Sequence, residues 1–417
     1  MPVPRQRIHL PPRCWSRALL SPLRGDLGYG DQVALIEREF AAFTGVPDAV
    51  AVPSGRAGLR FIFNALGLQE GAEVICSAFG YPVVPHLAKS LGYRLRLADC
   101  ETETLGMDPD ALARTISSET RVVIATHLYG VPCRIDEIAE IAHRHGAVLI
   151  EDCAHCYGAS VAGRRTGSFG RFGYFSFETS KPINTLGGGI VSTSDPDDAK
   201  RIREVARDEP SKDMKWLAKR LAKTSFEATV TNPLVFNLAV YPALRLMQGR
   251  DEKKDRFASG YQRDEVTMSG RLGRFTNYQA RLGLDQMRDA KPRVERRIVN
   301  ARRLIDRLSD RVQFQSNDRD DVVSNYMLVT SLMPNMLEVA RRLLQVGIDT
   351  KHRYMRDCSG LLDTGERFPN AERAEREVLH LPAHPEYSAS QIDRIADKIG
   401  RVVEATAIPE KPAALAG

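Results

Sequence analysis

Between residues 49 and 193, short apolar runs rich in β-branched residues alternate with stretches whose apolar positions recur every three to four residues. Ala49 to Val52 (AVAV) reads as a buried strand, and after Pro53-Ser54-Gly55 the residues Leu59, Ile62, Phe63 and Leu66 fall on one helical face. Glu73 to Cys76, Arg94 to Ala98, Val122 to Ala125 and Ala147 to Ile150 repeat the strand signal. Ile135, Ile138, Ile141 and Ala142 mark the helix before the last of these. This alternation predicts an α/β fold, a mainly parallel sheet flanked by helices. Ligands of such sheets gather beyond the carboxyl ends of the strands. The residues placed there are Ser54-Gly55-Arg56, Phe79-Gly80-Tyr81, His127-Leu128-Tyr129-Gly130 and Asp152-Cys153-Ala154-His155.

Helical spacing returns at Val294 to Leu308, Met336 to Leu344 and about Ser390 to Val403. Across 417 residues, 43% are hydrophobic and 27% charged, which places the chain among folded globular proteins. The net charge of +6, from 59 basic against 53 acidic residues, is too balanced for a chain whose main partner is nucleic acid. Most of the excess lies between Pro210 and Arg256, where ten Lys and Arg face five Asp and Glu. Seven cysteines show no disulfide framework, so a reducing cytoplasm is expected. Prolines and arginines interrupt the first 20 residues where a signal peptide needs an apolar run, and no stretch approaches the roughly 20 apolar residues of a spanning helix.

The segment from Val148 to Thr193 carries the chemistry. A strand delivers Asp152 to its carboxyl end, and a β-rich run from Tyr174 to Phe177 leads to Thr179-Ser180-Lys181 and then Gly187-Gly188-Gly189. A lysine in a turn between strands, with small neighbours, suits an amine that must condense with a flat aldehyde. Pyridoxal phosphate needs such a lysine, a carboxylate on its ring nitrogen and donors for its phosphate. Lys181, Asp152 and the Ser54-Gly55-Arg56 turn at a helix N-terminus supply one each, and Ser176 adds a hydroxyl. The triple glycine precedes a strand, where a nucleotide loop would precede a helix, so close backbone approach is the expected reason for it. Cys153 and Cys156 have metal-site spacing but no second ligand pair, and no metal is assigned.

With these motifs in order, EREFAAFTGVPDAVAVPSGRAGL, THLYGVPCRIDEI, LIEDCAHCYGA, FSFETSK, TNYQARLGLDQM and FPNAERAEREVLHLP, the chain resembles the DegT/DnrJ/StrS-type sugar aminotransferases, fold type I pyridoxal-phosphate enzymes. The resemblance implies a seven-stranded-type sheet and a smaller C-terminal α+β domain. It divides the chain into residues 1–24, a large cofactor domain over 25–290 and a small domain over 291–417. It implies that Lys181 tethers the cofactor and moves protons, that Asp152 pairs with the pyridine nitrogen and that His155 lies against the ring. It places Tyr81 as a stacking aromatic, Gly55, Arg56 and Ser176 at the phosphate, and His352 and Tyr354 near the substrate. The working form would be a homodimer that alternates between pyridoxal and pyridoxamine phosphate. The expected reaction moves an amino group from glutamate or glutamine to a ketone of a sugar-like, nucleotide-linked acceptor.

Three positions depart from the family pattern: Arg56 stands for a threonine, Leu272 for an asparagine reaching the neighbouring subunit's phosphate site, and Met355 for a proline. Arg56 can bind phosphate bidentately and replace both lost donors. Other readings remain: the same chemistry on a lipid-linked or non-sugar ketone, a sugar dehydratase, or a silent scaffold on this fold. The family's dehydratases carry histidine in place of the lysine, and a scaffold needs neither Lys181 nor Asp152. In the 210–256 insertion, Met214, Leu217 and Leu221 share one helical face and Lys215, Lys219 and Lys223 another. This segment is expected either to pack on the dimer with solvated lysines or to lie in the plane of an anionic membrane.

Overall fold

The computed structural model describes residues 1–247, 272–362 and 365–406. Its main sheet has seven strands: β1 (Asp48–Val52), β2 (Glu73–Ser77), β3 (Arg94–Ala98), β4 (Thr120–Thr126), β5 (Val148–Asp152), β6 (Phe172–Ser176) and β7 (Gly189–Thr193). Their order is β1-β7-β6-β5-β4-β2-β3. The pairs from β6 through β5, β4 and β2 to β3 are parallel, and β7 runs antiparallel to both β6 and β1. Apart from the edge strand β3, whose first three residues are exposed or half-buried, the strands are buried along nearly their whole length between helices on both faces.

A smaller antiparallel sheet follows: β8 (Gln313–Phe314), β9 (Val329–Leu332), β10 (Lys351–His352) and β11 (Val378–Leu381), in the order β8-β9-β11-β10. Its core joins Leu343, Leu379 and Ile399 to Ala301 and Leu304. The last two lie on the continuous helix Asn277–Asp306, whose first turns bury Tyr278, Ala280, Leu282 and Leu284 against the large sheet's side. The expected boundary at residue 290 therefore falls inside a helix that serves both cores. A second tie comes from the FPNAERAER motif, where the backbone N–H groups of Asn370 and Ala371 donate to Asp99 at the end of β3 (3.1 and 3.0 Å).

The N-terminal segment runs along the small sheet's side, with Val3 bridging to Ile348. Arg5 binds Asp349 through two N–H groups at 2.7 Å each.

The insertion forms the helix Met214–Val230 and shorter turns up to Met247, and its stretch beyond Met247 lies outside the described residues. Leu217 and Leu221 are buried as their spacing predicts, but Thr224 completes that face and Met214 is exposed. Leu217 and Leu221 pack with Leu186, Tyr278 and Leu282, and Arg220 adds a polar tie. It donates to the Leu186 carbonyl and to Glu178 (2.8 Å), both in the loop that carries Lys181.

Candidate active site

Two adjacent carboxylates end β5 and have opposite fates, because successive side chains of a strand face opposite ways. Glu151 is saturated: it accepts from the backbone N–H groups of Gly167 (2.8 Å), Phe169 (2.6 Å) and Gly170 (2.8 Å), with His127 at 3.2 Å. Glu151 holds a turn. Asp152 is 5% exposed, accepts from the Ala154 N–H (3.0 Å) and has no ion pair among the described residues. The Tyr174 hydroxyl, on the neighbouring β6, faces the same carboxyl group without a closed hydrogen bond. Burial pushes the Asp152 carboxyl above its ordinary value, against the opposing effects of Tyr174, Ala154, Lys181 and His127. A buried carboxylate in that state gains from a cationic partner.

Lys181 lies in the loop 177–188 between β6 and β7. Phe177 and Gly188 exchange a backbone bond across the loop's neck, and Lys181 N–H donates to Glu178. Three more of the loop's carbonyls are taken by a helix: Gln279 donates to Thr185 (3.2 Å) and Gly187 (2.7 Å), and Gln286 donates to Asn184 (2.7 Å). The triple glycine permits the close approach expected of it. A Cβ on Gly189 would lie 2.4 Å from the Phe175 carbonyl and 2.8 Å from the Gly55 nitrogen. Burial lowers the Lys181 amine to about 8, and Asp152 and Glu178 hold it from falling further.

Around the amine stand three rings. The Tyr354 hydroxyl is 3.5 Å from Lys181 Nζ, and the His155 ring stacks on Tyr354 with centroids 5.6 Å apart. His155 Nδ1 accepts the Tyr129 N–H (3.1 Å), which puts the neutral ring's proton on Nε2. Burial first, then Lys181 and Lys351, hold His155 well below its usual range. Tyr81 is 6.5 Å from Tyr354 and 38% exposed, at the rim. Tyr129, Leu186 and Arg353 have φ of 59°, 62° and 52°, a left-handed backbone that costs of order 1–3 kcal/mol at each and gathers here.

The Ser54-Gly55-Arg56 turn opens the helix Gly55–Leu66, whose N-cap is Ser54 accepting the Ala57 N–H (3.1 Å). A Cβ on Gly55 would meet the Phe175 carbonyl and Ser176 Cβ at 3.5 Å, so turn and strand end form one cradle with Ser176 at its edge. Arg56 is exposed, with its guanidinium close enough to Tyr81 to act on it. An unpaired buried carboxylate, a depressed amine and a helix N-terminus with its cradle fit the pyridine nitrogen, aldehyde and phosphate of pyridoxal phosphate.

Of the two small-domain residues expected near the substrate, only Tyr354 joins the group. Strand alternation places Lys351 toward it, with Nζ 3.4 Å from the Tyr354 ring centroid, and sends buried His352 to the other face of β10. Lys351 was legible only as a lysine one residue before a weak motif. Tyr129 and Tyr174 were also missed as site residues; the first follows the end of β4 and the second lies within β6.

The depressed amine has a direct consequence in cofactor-free protein. Covalent capture of Lys181 by an amine-reactive reagent is expected to rise with pH through a midpoint near 8 and not near 10.5, since only the unprotonated amine reacts. Peptide mapping across a pH series checks this, with Lys181→Ala as the blank.

The sequence model of the DegT/DnrJ/EryC1/StrS aminotransferase family matches residues 23–400. The chain is 34% identical over 194 residues to the L-glutamine:2-deoxy-scyllo-inosose aminotransferase of Streptomyces fradiae, covering 46% of this chain and 45% of that protein. It is 36% identical to the GDP-perosamine synthase of Vibrio cholerae over 40% of this chain and 46% of that one, so it spans about half the length of these relatives. With the dTDP-4-dehydro-2,3,6-trideoxy-D-glucose 4-aminotransferase of Saccharopolyspora spinosa it shares 28% identity over 91% of both chains. Among solved structures, an aminotransferase of Streptoalloteichus hindustanus superposes with a TM-score of 0.76 at 24% identity, covering 98% of this chain and 100% of that one. The pyridoxamine-phosphate form of a sugar aminotransferase described as putative, from Streptococcus pneumoniae, gives 0.75 at 20% identity over 97% and 99%. At such identities the structures show a shared fold, fold type I. With the family match running over nearly the whole chain and the ordered motifs falling at one site, the protein belongs to the DegT/DnrJ/EryC1/StrS aminotransferase family.

Proposed function

We propose that the chain is a pyridoxal-phosphate aminotransferase that moves an amino group from glutamate or glutamine to a ketone on a sugar-like, nucleotide-linked acceptor. The observation that carries this reading is a depressed amine, Lys181, in the loop that follows β6, and an unpaired buried carboxylate, Asp152, at the end of the neighbouring parallel β5. The relatives support the donor and acceptor classes by what their names state: one is a glutamine-dependent enzyme of an inosose and another acts on a dTDP-linked dehydro sugar.

When bound, the cofactor supplies an electron sink for the carbanion formed at the amino-bearing carbon. Asp152 holds the proton of the pyridine nitrogen, which keeps that sink open. Lys181 Nζ tethers the cofactor and, once displaced, takes and returns the proton at the reacting carbon, which an amine near 8 does well close to neutral pH. His155 and Tyr354 form an aromatic wall beside it. The helix N-terminus at Gly55, Ser176 and the exposed guanidinium of Arg56 hold the phosphate.

This reading includes a homodimer. It also includes a peripheral seat on anionic membrane through the exposed Phe226, Leu234, Leu238 and Leu246 beside Lys215 and Lys219. Among the described residues no helix is long and apolar enough to cross a membrane. Salt-sensitive co-sedimentation with anionic vesicles supports that seat, and no binding at low salt removes it.

Asp152→Asn is expected to keep the fold and most of the bound cofactor yet lose at least about 100-fold in both half-reactions, because the ring nitrogen loses its proton. Turnover near wild type removes Asp152 from this role. Arg56→Ala is expected to weaken cofactor retention on dialysis by roughly 10- to 150-fold, the worth of one charge-assisted contact. Equal retention places Arg56 elsewhere.

A further inference from the structure

The family match begins at residue 23, yet the segment from Arg5 to His9 lines a cavity beside Lys181. The cavity is also lined by Arg293 and Arg297, one turn apart on the helix Asn277–Asp306, and by the loops around Met327 and Ala383. No Asp or Glu lines it, whereas Arg5, Arg7, Arg293, Arg297 and Lys181 do. Arg5 is neutralised by Asp349 at 2.7 Å. Arg7, Arg293 and Arg297 make no ion pair among the described residues, and Arg297 Nη1 is buried without a hydrogen-bond acceptor.

Glu386 acts on Arg297 only at a distance, since its oxygens lie against His9 Nε2 (2.7 Å) and His384 Nδ1 (2.9 Å). The Arg7 backbone N–H donates to His384 Nε2, which places the ring's proton on Nδ1, toward Glu386. That tautomer rules against a metal held by His9, Glu386 and His384, because Nδ1 has no lone pair to offer. The three residues act as a clasp that fixes the N-terminal arm over the cavity.

Three unpaired guanidinium groups around one space favour an anion of more than one charge. A single carboxylate neutralises one of them, while a phosphate or diphosphate presents several acceptor oxygens to forked donors. Burial and the neighbouring Arg293 push Arg297 down to about 10 in spite of the opposing Glu386 charge, a cost that a closer anion would relieve. We infer that this cavity is a phosphate or diphosphate subsite for the acceptor, built from the N-terminal arm and the Arg293–Arg297 face. The inference rests on the aminotransferase reading for what the acceptor does, but the subsite itself is tested without turnover.

Calorimetric titration of the cofactor-loaded protein with inorganic pyrophosphate measures the subsite directly. Wild type is expected to bind it, and Arg7→Met and Arg293→Met/Arg297→Met are each expected to weaken binding at least 10-fold. The Arg7 side chain makes no hydrogen bond or ion pair among the described residues, so its variant tests the subsite even where the helix pair disturbs folding. Kinetic competition separates the sources. Pyrophosphate that competes with the keto acceptor but not with glutamate assigns the subsite to a phosphorylated acceptor, and binding without competition assigns it to free phosphate. No binding by wild type, or equal binding by wild type and Arg7→Met, overturns the subsite. The glutamate-driven spectral change of the same samples reports the donor half-reaction, so failure of that step contradicts the aminotransferase reading and leaves the pyrophosphate result standing.

Discussion

The backbone of residues 177–188 belongs to no sheet, and the position of Lys181 depends on what pins that loop. A buried loop must satisfy its own polar groups, and an unmade bond costs about 1–3 kcal/mol. Here the carbonyls of Asn184, Thr185, Leu186 and Gly187 are met by Gln286, Gln279 and Arg220. Gln279 is itself fixed by buried Lys212 (2.8 Å) and by the Thr276 cap of its helix. The TNYQARLGLDQM motif is thus a clamp on the lysine loop. Within it Gly283 makes room for Ile36, whose Cδ1 would lie 2.4 Å from any Cβ there. The insertion helix joins the same clamp through Arg220, which gives that segment a structural function independent of what its lysines face.

Once the loop is fixed, electrostatics decide which groups are reactive. Glu151 and Asp152 are both buried, but backbone N–H groups saturate the first and leave the second in need of a cation. Lys181 and Lys351 share the Tyr354 ring, and burial first, then the Lys181 charge, lowers Lys351 to about 7. Burial first, then the two amines, hold His155 well below its usual range, so it contributes a flat neutral surface. The resulting site has a cationic side and one unpaired carboxylate below it, a distribution suited to a zwitterionic cofactor whose phosphate and ring nitrogen lie at opposite ends.

Much of this was legible in the chain because it is local. The strands show as apolar runs, and each places its last residues at the sheet edge where ligands collect, which found Asp152, His155, Gly55 and Tyr81. Lys181 was legible from its turn between two strands. What could not be read is long-range. Lys351 reaches the site through a short strand of another sheet, and its pairing register with His380 decides that it, and not His352, faces Tyr354. The saturation of Glu151 depends on a turn 16 to 19 residues away. Arg7, Arg293 and Arg297 are brought to one cavity from distant parts of the chain, and no local pattern links them.

The central claim is that Lys181, among several depressed amines near the site, is the cofactor's attachment point. Borohydride reduction of the cofactor-loaded protein followed by peptide mapping tests it most directly, since Lys351 and Lys212 are rival amines lowered to about 7. The account predicts a single reduced cofactor label on the peptide containing Lys181. A label on Lys351 or Lys212, or protein that takes up no cofactor at all, would contradict it.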